Sequence, residues 1–208
     1  MFAQVIQGRT PDAQALRSAI DRWTRELAPG SVGWLGSTGG VTDDGSFVVV
    51  ARFESADAAA RNSDRPEQTA WWADTQRQLD GEVSFHDSEN VTVDTPGDPD
   101  RAGFVQVMRG RVTDPQRAGE LMSRIPSEAM AAYRPEILGS MSIAHPDGEW
   151  TQVIYFTSEA DAREGERKET PPEMQAVMEE MMTISTGPPT FFDLREPMLQ
   201  SPATAAAR

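Results

Sequence analysis

The chain has 208 residues, a formal charge of −14 and no cysteine. That length fits one ordinary domain or two small ones, and the missing cysteine excludes disulfides, thiolate metal sites, iron–sulfur clusters and a cysteine nucleophile. The acidic surplus argues against nucleic acid and anionic membranes as partners, since both call for clustered cations.

A 38% share of hydrophobic residues with a mean hydropathy of −0.51 is the composition expected of a soluble globular chain. No run is long and apolar enough to span a bilayer, and the start MFAQVIQGR lacks the features of a signal peptide. A cytoplasmic location is the expectation. Taken in chain order, Phe2–Arg9 reads as a strand. Residues 12–28 place Leu16, Ile20, Trp23 and Leu27 on one helical face, behind the start signal Thr10-Pro11-Asp12 and ahead of the stop Pro29-Gly30. Residues 32–38 and Ser46–Phe53 predict a hairpin around the turn-rich segment 39–45. Ser55 caps a short helix that yields near Asp64 to a second helical stretch with Trp71, Trp72 and Leu79. Gly81 ends that stretch, and residues 82–93 predict a last strand. Residues 94–102, DTPGDPDRA, read as a linker.

The same order then returns. FAQVIQGR at Phe2–Arg9 recurs as FVQVMRGR at Phe104–Arg111, and Leu35-Gly36-Ser37 recurs as Leu138-Gly139-Ser140. Gly45/Gly148, Val50/Val153, Phe53/Phe156 and Ser55/Ser158 follow, then Pro66/Pro172, Gly81/Gly187, Phe85/Phe191 and Asp87/Asp193. The spacing changes only between blocks, where loops absorb insertions. This is a tandem duplication, with one repeat over residues 1–93, a second over 103–196 and a flexible tail over 197–208. In the second copy Pro126 falls inside the first helical stretch and is expected to kink or divide it.

Each copy reads β-α-β-β-α-β, the ferredoxin-like order, so the fold class is α+β with helices on one face of an antiparallel sheet. Phe47-Val48-Val49-Val50-Ala51 does not alternate apolar with polar residues, as a strand with one wet face should. Both faces of such strands need cover. The second copy is the economical cover, which predicts two sheets packed face to face as one intramolecular α/β barrel.

The segment Pro29 to Ser37 (PGSVGWLGS), the strand end Val50-Ala51-Arg52-Phe53-Glu54-Ser55 and the helix beginning Pro66-Glu67 resemble the antibiotic biosynthesis monooxygenase group of the dimeric α/β-barrel superfamily. The resemblance covers most of residues 1–93 and, through the repeat, extends to 103–196. It implies a small-molecule cavity and a range of activities that includes cofactor-free oxygenation and haem degradation; fold alone does not choose among them. The haem-degrading members need a histidine on the second helix, and residues 57–80 and 159–184 contain none. No cofactor and no metal are expected.

Gln4 and Gln106 interrupt apolar strands at equivalent positions; they either line the cavity or satisfy each other or the backbone. His86, on the last strand of the first copy, is the candidate general base, with a structural role as its alternative. His145 belongs to a hairpin turn and is expected to be solvated. Trp71 and Trp72 point about 100° apart on a helix, so one packs on the sheet and the other edges the cavity or a partner surface; Trp72 is the candidate for the cavity, with core packing as the alternative. By the family resemblance, Asn62 and Trp71 or Trp72 correspond in type to residues that steer oxygen towards an activated phenol or anthrone, with Asn62 and Trp72 the candidates. Arg52 and Tyr155 occupy equivalent places before the paired phenylalanines; they either face the lumen and orient an anionic or phenolic ligand or belong to an ion pair on the outside. Met178 belongs to a methionine-rich helix with Met174, Met181 and Met182, suited either to an adaptable ligand wall or to ordinary core filling.

Two functional expectations follow. One is a cofactor-independent monooxygenase acting on an aromatic or polyketide-like molecule, with His86, Trp72 and Asn62 catalytic and Gln4, Gln106, Arg52, Tyr155 and Met178 binding the ligand. The other is a barrel that binds a small apolar molecule or a protein partner without chemistry. One chain holds both halves, so a monomer suffices for the barrel, and a homodimer stays open.

Overall fold

The computed structural model describes residues 1–202. The chain runs β1 (Phe2–Arg9), α1 (Ala13–Glu26), β2 (Trp34–Val41), β3 (Ser46–Phe53), α2 (Ala56–Ser63), α3 (Pro66–Gln76), β4 (Asp80–Ser88) and β5 (Asn90–Asp94). It continues through β6 (Phe104–Arg111), α4 (Pro115–Met122), α5 (Ser127–Tyr133), β7 (Ile137–Ala144), β8 (Glu149–Phe156), α6 (Glu159–Glu166), α7 (Pro172–Ile184), β9 (Thr190–Leu194) and β10 (Met198–Gln200). The repeat read in the sequence is a repeat of structure. Pro126 does divide the helix of the second copy: it stands as the N-cap of α5, in extended conformation, after α4 has ended.

The two sheets are antiparallel and five-stranded, ordered β10-β2-β3-β1-β4 and β5-β7-β8-β6-β9. Each therefore carries one strand more than a four-stranded ferredoxin-like unit. The extra strands move the expected boundaries: the first unit comprises residues 1–89 and the segment from 196, and the second residues 90–195. Residues 82–93 do not form one strand, and β1 is the reason. Ser88 pairs with Ala3 near the start of β1, so residues beyond it have no partner in that sheet, and Asn90–Asp94 pairs with β7 instead. Likewise the expected linker 94–102 begins inside β5, and the expected flexible tail contains β10, paired with β2. Residues 203–208 of that tail lie outside the described residues.

Side-chain alternation assigns the faces of the first sheet. Phe2 and Ile6 of β1 and Phe47, Val49 and Phe53 of β3 pack with Leu16, Ile20, Trp23 and Leu27 of the first helix and its end. Asp12 caps that helix by accepting from the Ala15 amide at 2.9 Å. Gly8 lies on the same face and excludes a side chain, because a Cβ there would come within 2.9 Å of the Phe47 ring; at its counterpart Gly110 a Cβ would come within 2.6 Å of the Trp150 ring. In the second sheet Phe104 of β6, Phe156 of β8 and Ala162 of α6 form the matching helix-side core.

Candidate functional site

Register divides the candidate residues between two faces. In the first unit, Gln4 shares its face with Phe2 and Ile6, the helix-packed side of β1. It donates from Nε2 to Asp87 Oδ1 at 2.9 Å, across the β1–β4 pair. Gln106 repeats the bond to Asp193 at 2.9 Å. Both amides are thus held by a carboxylate on the neighbouring strand, a partner that neither sequence expectation named.

Asn62 is buried on α2 and its Oδ1 accepts from Arg65 Nη1 at 3.0 Å. The same nitrogen donates to the Leu27 carbonyl at 3.0 Å, and Nη2 pairs with Glu67 at 2.9 Å. Asn62 therefore helps fasten the α2–α3 junction to the end of α1. Its equivalent in the second unit is Gly165, where Glu136 and Arg134 occupy the space.

Five rings run through the helix layer of the first unit. Trp34 and Trp23 meet edge to face at 5.1 Å, Trp23 lies 6.4 Å from Trp71, Trp71 lies 6.1 Å from Trp72, and Trp72 meets Phe85 edge to face at 5.5 Å. Three indole nitrogens are satisfied: Trp34 by Ser37 at 3.0 Å, Trp23 by Gln68 at 2.6 Å and Trp71 by the Ala19 carbonyl at 2.9 Å. Trp72 is half-buried, at the outer end against the exposed Phe85.

The opposite face of the first sheet carries Ala3 and Val5 of β1, Val48, Val50 and Arg52 of β3, and Ser84, His86 and Ser88 of β4. His86 pairs in register with Val5, and Arg52 with Ala3. Cation and imidazole thus flank an apolar floor of Ala3, Val5 and Val50. The Arg52 guanidinium lies over Gly36, where a Cβ would come within 2.6 Å of Nη2, and its buried Nε has no hydrogen-bond partner among the described residues. Tyr155 stands on the corresponding face of the second sheet, in register with Val105.

His86 and Arg52 therefore share one face, whereas Trp72, Asn62 and Gln4 belong to the other side. The structure does not bring the three candidate catalytic residues together. Met178 is 55% exposed on α7, whose buried residues are Met174 and Val177, so the outward face of the helix holds it away from a cavity wall. His145 is not solvated: it is 7% exposed, with Nε2 2.9 Å from Thr151 Oγ1.

Sequence reasoning missed the ionic cluster of the second unit. Arg163 of α6 pairs with Asp193, with Glu166 at 2.9 Å and with Glu159, and lies 5.3 Å over the Phe104 ring. Partial burial works against its charge, yet Asp193 and Glu166 hold the guanidinium more firmly protonated than usual. Hydrogen bonds from Arg195, and then Arg163, hold the Glu159 carboxyl below its ordinary range. The recurrence of Asp87 at Asp193 was the available signal.

No family model matches the chain, and neither does any curated relative. Solved structures do. One, named a "putative monooxygenase" of Lactobacillus acidophilus, matches with a TM-score of 0.72 at 14% identity, over 96% of this chain and 95% of that one. An anthrone oxidase-like protein matches with a TM-score of 0.70 at 13% identity, over 100% and 96% of the two chains. What they share with this chain is the fold. A ferredoxin-fold protein of Listeria monocytogenes, related to antibiotic biosynthesis monooxygenases, matches at 0.50 and 12% identity over 98% and 96%. The chain is a fused duplication with antibiotic biosynthesis monooxygenase-like proteins among its structural neighbours. Among the described residues no helix is long and apolar enough to cross a membrane.

Proposed function

We propose that the protein is a cofactor-independent oxygenase for a small aromatic or polyketide-like molecule, bound on the helix-free face of the first sheet. The reading requires that this face be covered, so that the ligand sits in a dry chamber. Support for such cover comes from composition: Ala3, Val5, Val48 and Val50 in one sheet and Val105, Val107, Val153 and Met141 in the other all stand on the side away from their own helices. Leaving that much apolar surface wet would cost about 25 cal/mol per Å².

The observation that carries the reaction is the placement of His86 and Arg52 on one face around an apolar floor. His86 accepts the proton that an anthrone-type substrate loses from its methylene carbon, and Arg52 stabilises the enolate oxygen that results. The carbanion is the reductant. With dioxygen it yields a quinone and one water, the methylene carbon becoming a carbonyl. The anthrone oxidase-like neighbour makes that substrate class the first to try.

The test is oxygen uptake with 1,8-dihydroxyanthrone. Uptake above autoxidation, lowered about 100-fold in His86→Ala, is the expected result; uptake no faster than background overturns the reading. A second reading is a binding barrel without chemistry, favoured by the engagement of Asn62 with Arg65 and by its separation from His86. Native mass spectrometry distinguishes the two: a co-purified molecule recovered unchanged in air supports binding, and an oxidised product supports catalysis.

A further inference from the structure

The two copies differ at one position of an otherwise matching constellation. Phe2, Gln4 and Asp87 of the first unit correspond to Phe104, Gln106 and Asp193 of the second, and in both the glutamine donates to Oδ1 of the aspartate at 2.9 Å. The helices above them begin alike, with Ser55 and Ser158 as N-caps accepting from Ala58 and Asp161. Five residues after each serine the copies part: Arg163 in the second, Ala60 in the first.

In the second unit the Arg163 guanidinium lies over the Phe104 ring and binds Asp193 Oδ2, completing the carboxylate. In the first unit Ala60 cannot reach. Asp87 is exposed, and among the described residues its Oδ2 has no partner and no cation lies within ion-pairing distance of it. Two residues earlier on the same face of β4, Phe85 is 46% exposed, with Trp72 edge-on to it at 5.5 Å. An acceptor thus stands unfilled beside an exposed aromatic shelf, at the place where the sister unit holds its own guanidinium.

We infer that the first unit binds a guanidinium or ammonium group carried on an apolar body, with the cation at Asp87 and Gln4 and the body on Phe85 and Trp72. This site lies on the opposite side of the sheet from His86 and Arg52, so it does not depend on the oxygenase reading. An exposed ion pair, aromatic contact and burial of the apolar body on the ring shelf together support a Kd in the millimolar range.

Phenethylguanidinium is the probe, and phenethylurea, its neutral isostere, the control. Both are titrated into the ¹⁵N-labelled full chain to about 20 mM, enough to saturate a millimolar site. The expected result is saturable shifts at the Gln4 side-chain amide and the Asp87 and Ala60 backbone amides with the cation, much smaller shifts with the urea, and none at Gln106 or Asp193. Asp87→Asn should weaken the cation's binding about five-fold without altering the urea response. Ala60→Arg should abolish the shifts by supplying the group internally. No saturation, an equal response to the urea, or binding unaffected by Asp87→Asn overturns the inference. If Ala60→Arg fails to fold, the Asp87→Asn and urea comparisons still decide it.

Discussion

Gln106 reaches across from β6 to Asp193 of β9 with the same 2.9 Å bond that joins Gln4 to Asp87. The two bonds have different surroundings. Gln106 is 6% exposed and its carboxylate partner also holds Arg163, whereas Gln4 is only half-buried and Asp87 is open to water. Removing one partner of a buried polar pair leaves the other desolvated and unsatisfied, while water repairs an exposed one. Gln106→Leu should therefore cost about 1–3 kcal/mol and Gln4→Leu less than about 1 kcal/mol. Urea denaturation of each variant measures the contrast, and equal losses would show that the two environments are equivalent.

Trp34 anchors the aromatic series at its buried end, 6% exposed, edge to face with Trp23 and bonded to Ser37. Trp34→Phe keeps a ring but leaves Ser37, itself buried, without its indole donor. The loss should be about 1–2 kcal/mol, against about 3–5 kcal/mol for Trp34→Ala, which also opens a cavity. Thermal melts of the pair separate the hydrogen bond from the packing.

The order of elements was legible because the duplication marks each strand and helix twice, as Gly8 and Gly110 show: both recur because a large ring lies against each. Strand exchange was not legible. Five residues at Asn90–Asp94 and three at Met198–Gln200 are too short to carry a periodic signal, and their pairing depends on where β1 and β2 leave partners available. The face of Gln4 could have been read from parity, since it alternates with Ala3 and Val5 and falls in step with Phe2 and Ile6. Its partner could not, because a cross-strand contact 83 residues away depends on register. The Asn62–Arg65 bond was equally hidden: an asparagine in a helix carries the same letter whether it steers a substrate or ties a junction.

Glu136 gives a pH dependence of definite sign. It is 8% exposed, paired with Arg134 and, at 3.7 Å, with Lys168. Burial pushes its carboxyl upward, but the hydrogen bonds from Arg134 and its own backbone, with both cations, prevail and hold it below the ordinary 4.5. A carboxyl lowered on folding stabilises the native state above its unfolded pKa, and that contribution fades as pH falls through the folded value. Glu136→Gln should thus be destabilised relative to the parent at pH 7 by about 1–3 kcal/mol. The gap should stay constant down to about pH 5 and narrow below 4.5. Urea midpoints from pH 7 to 3 test this; a gap that widens in acid would reverse the sign.

Gly165 and Asn62 occupy equivalent positions but serve incompatible neighbours. A Cβ at Gly165 would press on Glu136 Oε1 and on the Arg134 guanidinium, the two halves of a largely buried ion pair. Gly165→Ala should therefore lose about 2–4 kcal/mol, despite the better helix propensity of alanine, because separating such a pair costs more than propensity returns. Asn62→Ala removes only an acceptor from Arg65, which keeps Leu27 and Glu67, so about 1 kcal/mol is expected. Rotating the two substitutions through Glu136→Gln separates cause from coincidence. If the ion pair is what Gly165→Ala breaks, the double variant with Glu136→Gln should be less destabilised than the sum of the singles by at least about 1 kcal/mol, whereas Asn62→Ala should add to Glu136→Gln without coupling.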